Sequence, residues 1–180
     1  MRVVAIALVA LLAGCSTGEG DVGTPTATAR CAEPELPPIQ FGSHLLGDTE
    51  PPVPYSSSPP TSGWHSSGAI PIGVGELSGP QQVSVLESGA VVITHGRLAA
   101  TESTDLAALA NGRVDGRIAV TPYGRLTGGE VVLAGWGVLQ RCDGVDVGAV
   151  ETFVAAYAAE APTVPGLDDV PRTEGVGDAP

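Results

Sequence analysis

After Arg2 the chain runs apolar without a break from Val3 to Leu12, then reads Leu12-Ala13-Gly14-Cys15. A positive residue, a short apolar run and small residues before a cut site form the pattern of a secretory signal peptide. The run is about half of the roughly 20 residues that a helix needs to cross a bilayer, so it predicts export and not a membrane span. Residues 1–14 are read as the leader. Further along, Val83-Ser84-Val85-Leu86 and Ala90-Val91-Val92-Ile93-Thr94 are rich in β-branched residues and are broken at Ser88-Gly89, which predicts two strands. Asp105 to Ala110 predicts a short helix ended by Asn111-Gly112. Arg117 to Thr121 and Val131 to Ala134 predict two more strands, the second continuing past Gly135 through Val138 and Leu139. Asp146 then caps a helix from Val147 to about Glu160, on which Val150, Phe153, Val154 and Tyr157 make one apolar face. Pro162 stops it. This order predicts a single α+β domain over residues 31–162, with about four strands in a small sheet and two helices packed on it.

The remaining stretches carry little periodicity. Residues 15–30 are Ser, Thr, Gly, Ala and Pro with a little charge, too polar to offset chain entropy by burial, and predict a flexible tether. Residues 32–82 are rich in Pro, Gly and Ser. Fifty residues of loop inside a compact domain are unusual and point to a wrapping or functional segment. From 163 to 180 the chain is Pro, Gly and acidic residues, an expected disordered tail.

Charge narrows the partners. All eight basic residues are Arg, against 20 acidic ones, for a formal charge of -12; loss of the leader removes Arg2 and takes it to -13. Phosphate backbones demand clusters of Lys or Arg, so nucleic acid is not an expected partner. Of three cysteines, Cys15 follows the leader, which leaves Cys31 and Cys142. In an oxidising compartment an even pair predicts a disulfide tying the N-terminal arm to the last strand. The alternative is a reactive thiol pair or soft metal ligands, for which no C-x-x-C spacing speaks.

Leu12-Ala13-Gly14-Cys15 resembles the lipobox of bacterial lipoproteins. That resemblance implies recognition through Leu12, Ala13 and Gly14, cleavage before Cys15, and acylation of the Cys15 sulfur by a palmitate-type chain and usually of the new amino group. More than one buried chain makes such anchoring stable. The expected location is the outer face of the cell membrane.

The most distinctive internal stretch is Tyr55-Ser56-Ser57-Ser58-Pro59-Pro60-Thr61-Ser62-Gly63-Trp64-His65. Pro59-Pro60 fixes an extended approach, and Thr61-Ser62-Gly63 supplies a turn with hydroxyls able to bond nearby backbone. Trp64 and His65 are thereby held in place, either as a binding loop presenting an imidazole or as a plug on the core. This segment and its sequel resemble domain-of-unknown-function family 3105, whose members read Pro-Pro-Thr-Ser-Gly-Pro-His and then His-Ser-Leu-Glu-His-Gly before a strand. The matches are Pro59 to Gly63, His65, Leu86-Glu87, Gly89, Val91 to Ile93, Pro122, Trp136-Gly137, Cys142 and Phe153, over roughly residues 40–162. Ser84 and Ser88 stand where the family has its two second-motif histidines, and Trp64 replaces the proline before His65. His44 matches another family histidine. His95 ends a strand where members more often carry an aromatic residue.

The sharpest chemical hypothesis is a metal site. Neutral imidazoles suit copper, zinc or nickel, and a carboxylate such as Glu87 can complete a shell. The candidates are His44, His65 and His95, although none stands in a short H-x-x-x-H spacing. No Gly-x-Ser-x-Gly announces a nucleophile, Ser88 beside Glu87 is only a polar pair, and Gly73-Val74-Gly75 lacks a dinucleotide loop's third glycine. Thr121-Pro122 has no short-spaced cysteine pair to face. The expectation is a non-enzymatic binding or structural domain without a cofactor, its protein or small-molecule partner unknown, with metal binding through His44 and His65 as the alternative.

Overall fold

Alternation along the central strands decides the layering. In the computed structural model, which describes residues 29–47, 49–68, 72–113 and 117–158, Val91 and Ile93 face one hydrophobic cluster and Val92 faces another. Successive side chains on a strand point to opposite faces, so both faces of this sheet are covered. The expected leader at 1–14, the expected lipidation site Cys15, the expected tether up to residue 28 and the expected tail from 163 lie outside the described residues.

In chain order the elements are β1 (His44–Leu45), β2 (His65–Ser66), β3 (Gly73–Val74), α1 (Gly79–Glu87), β4 (Val91–His95), α2 (Ala100–Ala108), β5 (Ile118–Pro122), β6 (Val131–Gly135), β7 (Val138–Cys142) and α3 (Val147–Tyr157). One sheet has the order β3-β5-β4-β6-β7; its first three strands are parallel and the rest antiparallel. β1 and β2 form a separate parallel pair. Leu106 and Leu109 at the end of α2 and just after it, with Val150, Phe153 and Val154 of α3, cover the face bearing Val91, Ile93, Ile118 and Leu133. Val85 and Leu86 of α1 cover the other, against Val92, Ala119 and Ala134.

The α+β class is as expected, with a corrected element count: the described residues hold three α-helices, on two faces, a five-stranded sheet and a two-stranded pair. Val83–Leu86 is helix, not strand. Ser78 caps it, its Oγ accepting from the Gln81 amide while Gln81 Oε1 accepts from the Ser78 amide, and Pro80 sits in the first turn. The run is β-branched because every position from Gln82 to Leu86 is buried, and burial overrides propensity. The helix expected at Asp105 begins earlier, at Ala100, where Glu102 accepts from the Ala99 amide, and ends in a π-helical turn over Leu109–Arg113. The strand expected to run on past Gly135 instead reverses at Trp136-Gly137, where Gly137 has φ 69° and β7 returns along β6. Asp146 does cap α3, accepting from the Ala149 amide.

The N-terminal arm closes the β7 edge. Cys31 and Cys142 form the expected disulfide across an antiparallel bridge, and Glu35 pairs with Leu139 in the same sense. Arg141 reinforces this from β7, with Nε 3.2 Å from Glu35 and a 2.9 Å bond to the Ser58 carbonyl. The wrapping segment is then stitched to itself. Gln40 donates its amide to Ser62 Oγ and accepts at Oε1 from the Ser56 amide, and Gly137 donates to the Thr61 carbonyl. Thr61 and Ser62 are completely buried, so this loop is a plug with its polar groups paired.

Candidate metal site

Parallel pairing of β1 with β2 sets His44 directly opposite His65. Residues in register on adjacent strands share a face, and the two imidazole centroids lie 4.4 Å apart at 71°. The approach depends on Gly42: a Cβ there would run into the backbone of Gly63 and Trp64, so only glycine lets the strand before His44 lie this close to the one before His65.

Tyr55 holds the other side. Its hydroxyl donates to the Trp64 carbonyl at 2.7 Å, and its ring lies against Gly79 at the start of α1. Burial first, then the Glu50 carboxylate, push this phenol above its ordinary range. Its folded-state pKa is raised, so the stability it contributes is fully present below about pH 10 and is lost as the pH rises further, because the unfolded chain releases that proton first. Tyr55→Phe should destabilise the domain by about 1 kcal/mol at neutral pH and flatten its alkaline loss of stability. Denaturant titrations at neutral and alkaline pH check this; an unchanged alkaline slope would refute it.

His65 is 4% exposed. Its Nδ1 lies 3.0 Å from the Gly63 carbonyl, which can only accept, so Nδ1 carries the proton and Nε2 presents its lone pair. That buried Nε2 has no hydrogen-bond partner, yet Glu87 Oε2 stands 3.0 Å from it. Two acceptors this close call for a cation that satisfies both: a second ring proton between them, or a metal ion bonded to both from the side. Fixing one imidazole nitrogen with a backbone carbonyl while the other looks into a site is how metal-binding histidines are oriented.

The donor atoms of His44, His65 and Glu87 all lie within 4.8 Å of one another. Bonds of about 2.0–2.2 Å to a tetrahedral ion put ligand atoms about 3.3 Å apart, so His65 Nε2 and Glu87 Oε2 at 3.0 Å are already near that spacing, and the widest pair must close by at most about 1.5 Å. His44 is exposed and the Glu87 side chain is 40% exposed, so these two can move while His65 stays fixed. Beside them is a cavity of about 260 Å³ walled by Ser66, Ser67, Ser84 and Ser88.

Of the three candidate histidines, the structure brings together His44 and His65 and leaves out His95. Parity places His95 with Val91 and Ile93 on the face covered by α2 and α3, whereas Glu87 ends α1 on the other face. Its Nδ1 bonds the Gly96 carbonyl at 2.7 Å. Glu87, named only as a possible completing carboxylate, is the third member. Ser84 and Ser88 lie one turn apart on and just after α1, at helical spacing, and therefore both reach the cavity. Gly42 and Ser66 to Gly68 carry no local pattern that marks them, because only the pairing of β1 with β2 gives them a role.

A family model described as "Protein of unknown function (DUF3105)" matches residues 48–169. His65 and Glu87 fall inside that range and His44 just before it. No curated protein and no solved structure matches the chain.

Proposed function

The chain belongs to this family, whose description assigns no activity, and we propose that its domain binds a zinc or copper(II) ion through His44, His65 and Glu87 at the outer face of a cell membrane. The observation that carries this reading is the buried His65, with Nδ1 spent on a backbone carbonyl and an unpartnered Nε2 facing a carboxylate. Two imidazoles and a carboxylate suit zinc or copper(II) better than copper(I), which favours sulfur. Cys31 and Cys142 are bonded to each other and offer no thiolate.

The lipid anchor at Cys15 is part of the same proposal. Leu12-Ala13-Gly14-Cys15 supports it, and so does the disulfide, a bond that persists in oxidising compartments. Among the described residues no helix is long and apolar enough to cross a membrane. We read the role as binding: besides His44 and Glu87, the described residues of the cavity wall are serine and glycine. The acidic chain is not suited to nucleic acid.

Titration of the full chain with Zn²⁺ and Cu²⁺, followed by metal analysis, tests the site. One equivalent is expected in the wild type and none in His44→Ala/His65→Ala. Wild-type binding no tighter than the millimolar range would refute the proposal.

A further inference from the structure

We infer that the ion held by His44, His65 and Glu87 completes its coordination with a small monodentate anion drawn from solution into the serine-walled cavity, which makes this an open exchange site. This rests on the metal reading above. Among the described residues the group offers three donor atoms, one short of the four of a closed tetrahedral site. Of the four serines in the wall, Ser67, Ser84 and Ser88 have hydroxyls bonded to backbone carbonyls. Ser84 Oγ is bonded to the carbonyls of Ser66 and Pro80, at 2.9 and 3.0 Å, and Ser88 Oγ donates to the Val85 carbonyl at 2.6 Å. Neutral hydroxyls committed to backbone are poor competitors for a divalent ion that prefers imidazole, carboxylate or an anion. The cavity of about 260 Å³ has room for several water-sized groups, at about 30 Å³ each.

Charge selects the incoming donor. A divalent ion with one carboxylate leaves the centre at +1, and no acidic side chain other than Glu87 is among the described residues of the wall. At ligand distance that charge outweighs the screened acidic surface. The exchange balances simply: the anion takes the position and a bound water leaves, with no change of oxidation state.

Ser88 is the residue that keeps the position open. It follows the last residue of α1, exposed at the helix end and beside Glu87, so a longer side chain there has space to enter the cavity. An imidazole in its place would supply the fourth donor.

The test is azide titration of the full chain loaded with Cu²⁺, read by the azide-to-copper charge-transfer absorption. The wild type and Ser88→Ala should give a saturable band at one azide per copper. Ser88→His should bind copper at least tenfold more tightly and lose at least tenfold in azide affinity. Loaded wild type that gives no band overturns the open position while leaving the metal site standing. An unchanged azide response in a folded, copper-loaded Ser88→His overturns the assignment of that position. Failure of the wild type to load copper or zinc overturns the metal reading, and this inference with it.

Discussion

Reducing the Cys31–Cys142 bond, or replacing it in Cys31→Ser/Cys142→Ser, should lower the stability of the domain by about 4–5 kcal/mol. The two cysteines are 111 residues apart, so every described element except α3 lies within the loop that the bond closes. Cross-linking so long a segment removes a large share of the unfolded chain's freedom. The native side of the balance points the same way. The arm is also held by the Ala32 amide on the Arg141 carbonyl, by reciprocal Glu35–Leu139 bonds, and by Arg30 and Asp143, but these are few and largely at the surface. Without the bond the arm competes with solvent, and the β7 edge it covers becomes an unpaired row of backbone groups. Denaturant unfolding of oxidised and reduced protein measures the difference, and hydrogen exchange on β7 locates it. A difference under about 1 kcal/mol would mean that the arm's docking does not depend on the cross-link.

That bridge is legible in the sequence because it needs only a compartment and an even count of cysteines. The strands β4 and β5 and the helix α3 are legible for a similar reason: Val91 to Thr94, Ile118 to Thr121 and the Asp146 cap each satisfy a local rule. Val83–Leu86 defeats the same rules. Its β-branched composition reports burial against the sheet, while the helix signal stands upstream at Ser78, Pro80 and Gln81, a capping box. The turn at Trp136-Gly137 is hidden because a buried strand on either side reads as one continuous apolar run. At the site, His44 and His65 are recognisable as residue types, but their pairing is a long-range event across 21 positions. The exclusion of His95 likewise depends on which face each helix covers.

The second large effect concerns that pairing. Gly42→Ala should weaken zinc or copper(II) binding by about 10- to 100-fold, the loss typical when residues that position a metal ligand are changed. Gly42 touches no ion and has no side chain to contribute. Its backbone lies against that of Gly63 and Trp64, and an added methyl has no flexible side chain to displace, only main chain. The strand carrying His44 must therefore lift. Across the β1–β2 pair, the His65 amide reaches the Ser43 carbonyl at 3.4 Å and the Ser67 hydroxyl the Leu45 carbonyl at 3.1 Å, both long bonds that offer little resistance. His65 stays where Gly63 and Tyr55 hold it, so the two imidazoles separate and the ion keeps only His65 and Glu87. Overpacking of this kind also destabilises by about 1–3 kcal/mol, so metal titration must be done on protein shown to be folded. Gly124→Ala is the matched control, since an added methyl there meets nothing within 4 Å and should alter neither binding nor stability. If Gly42→Ala binds metal as the wild type does, His44 reaches the ion without the β1–β2 register, and the pairing of strands is not what builds the site.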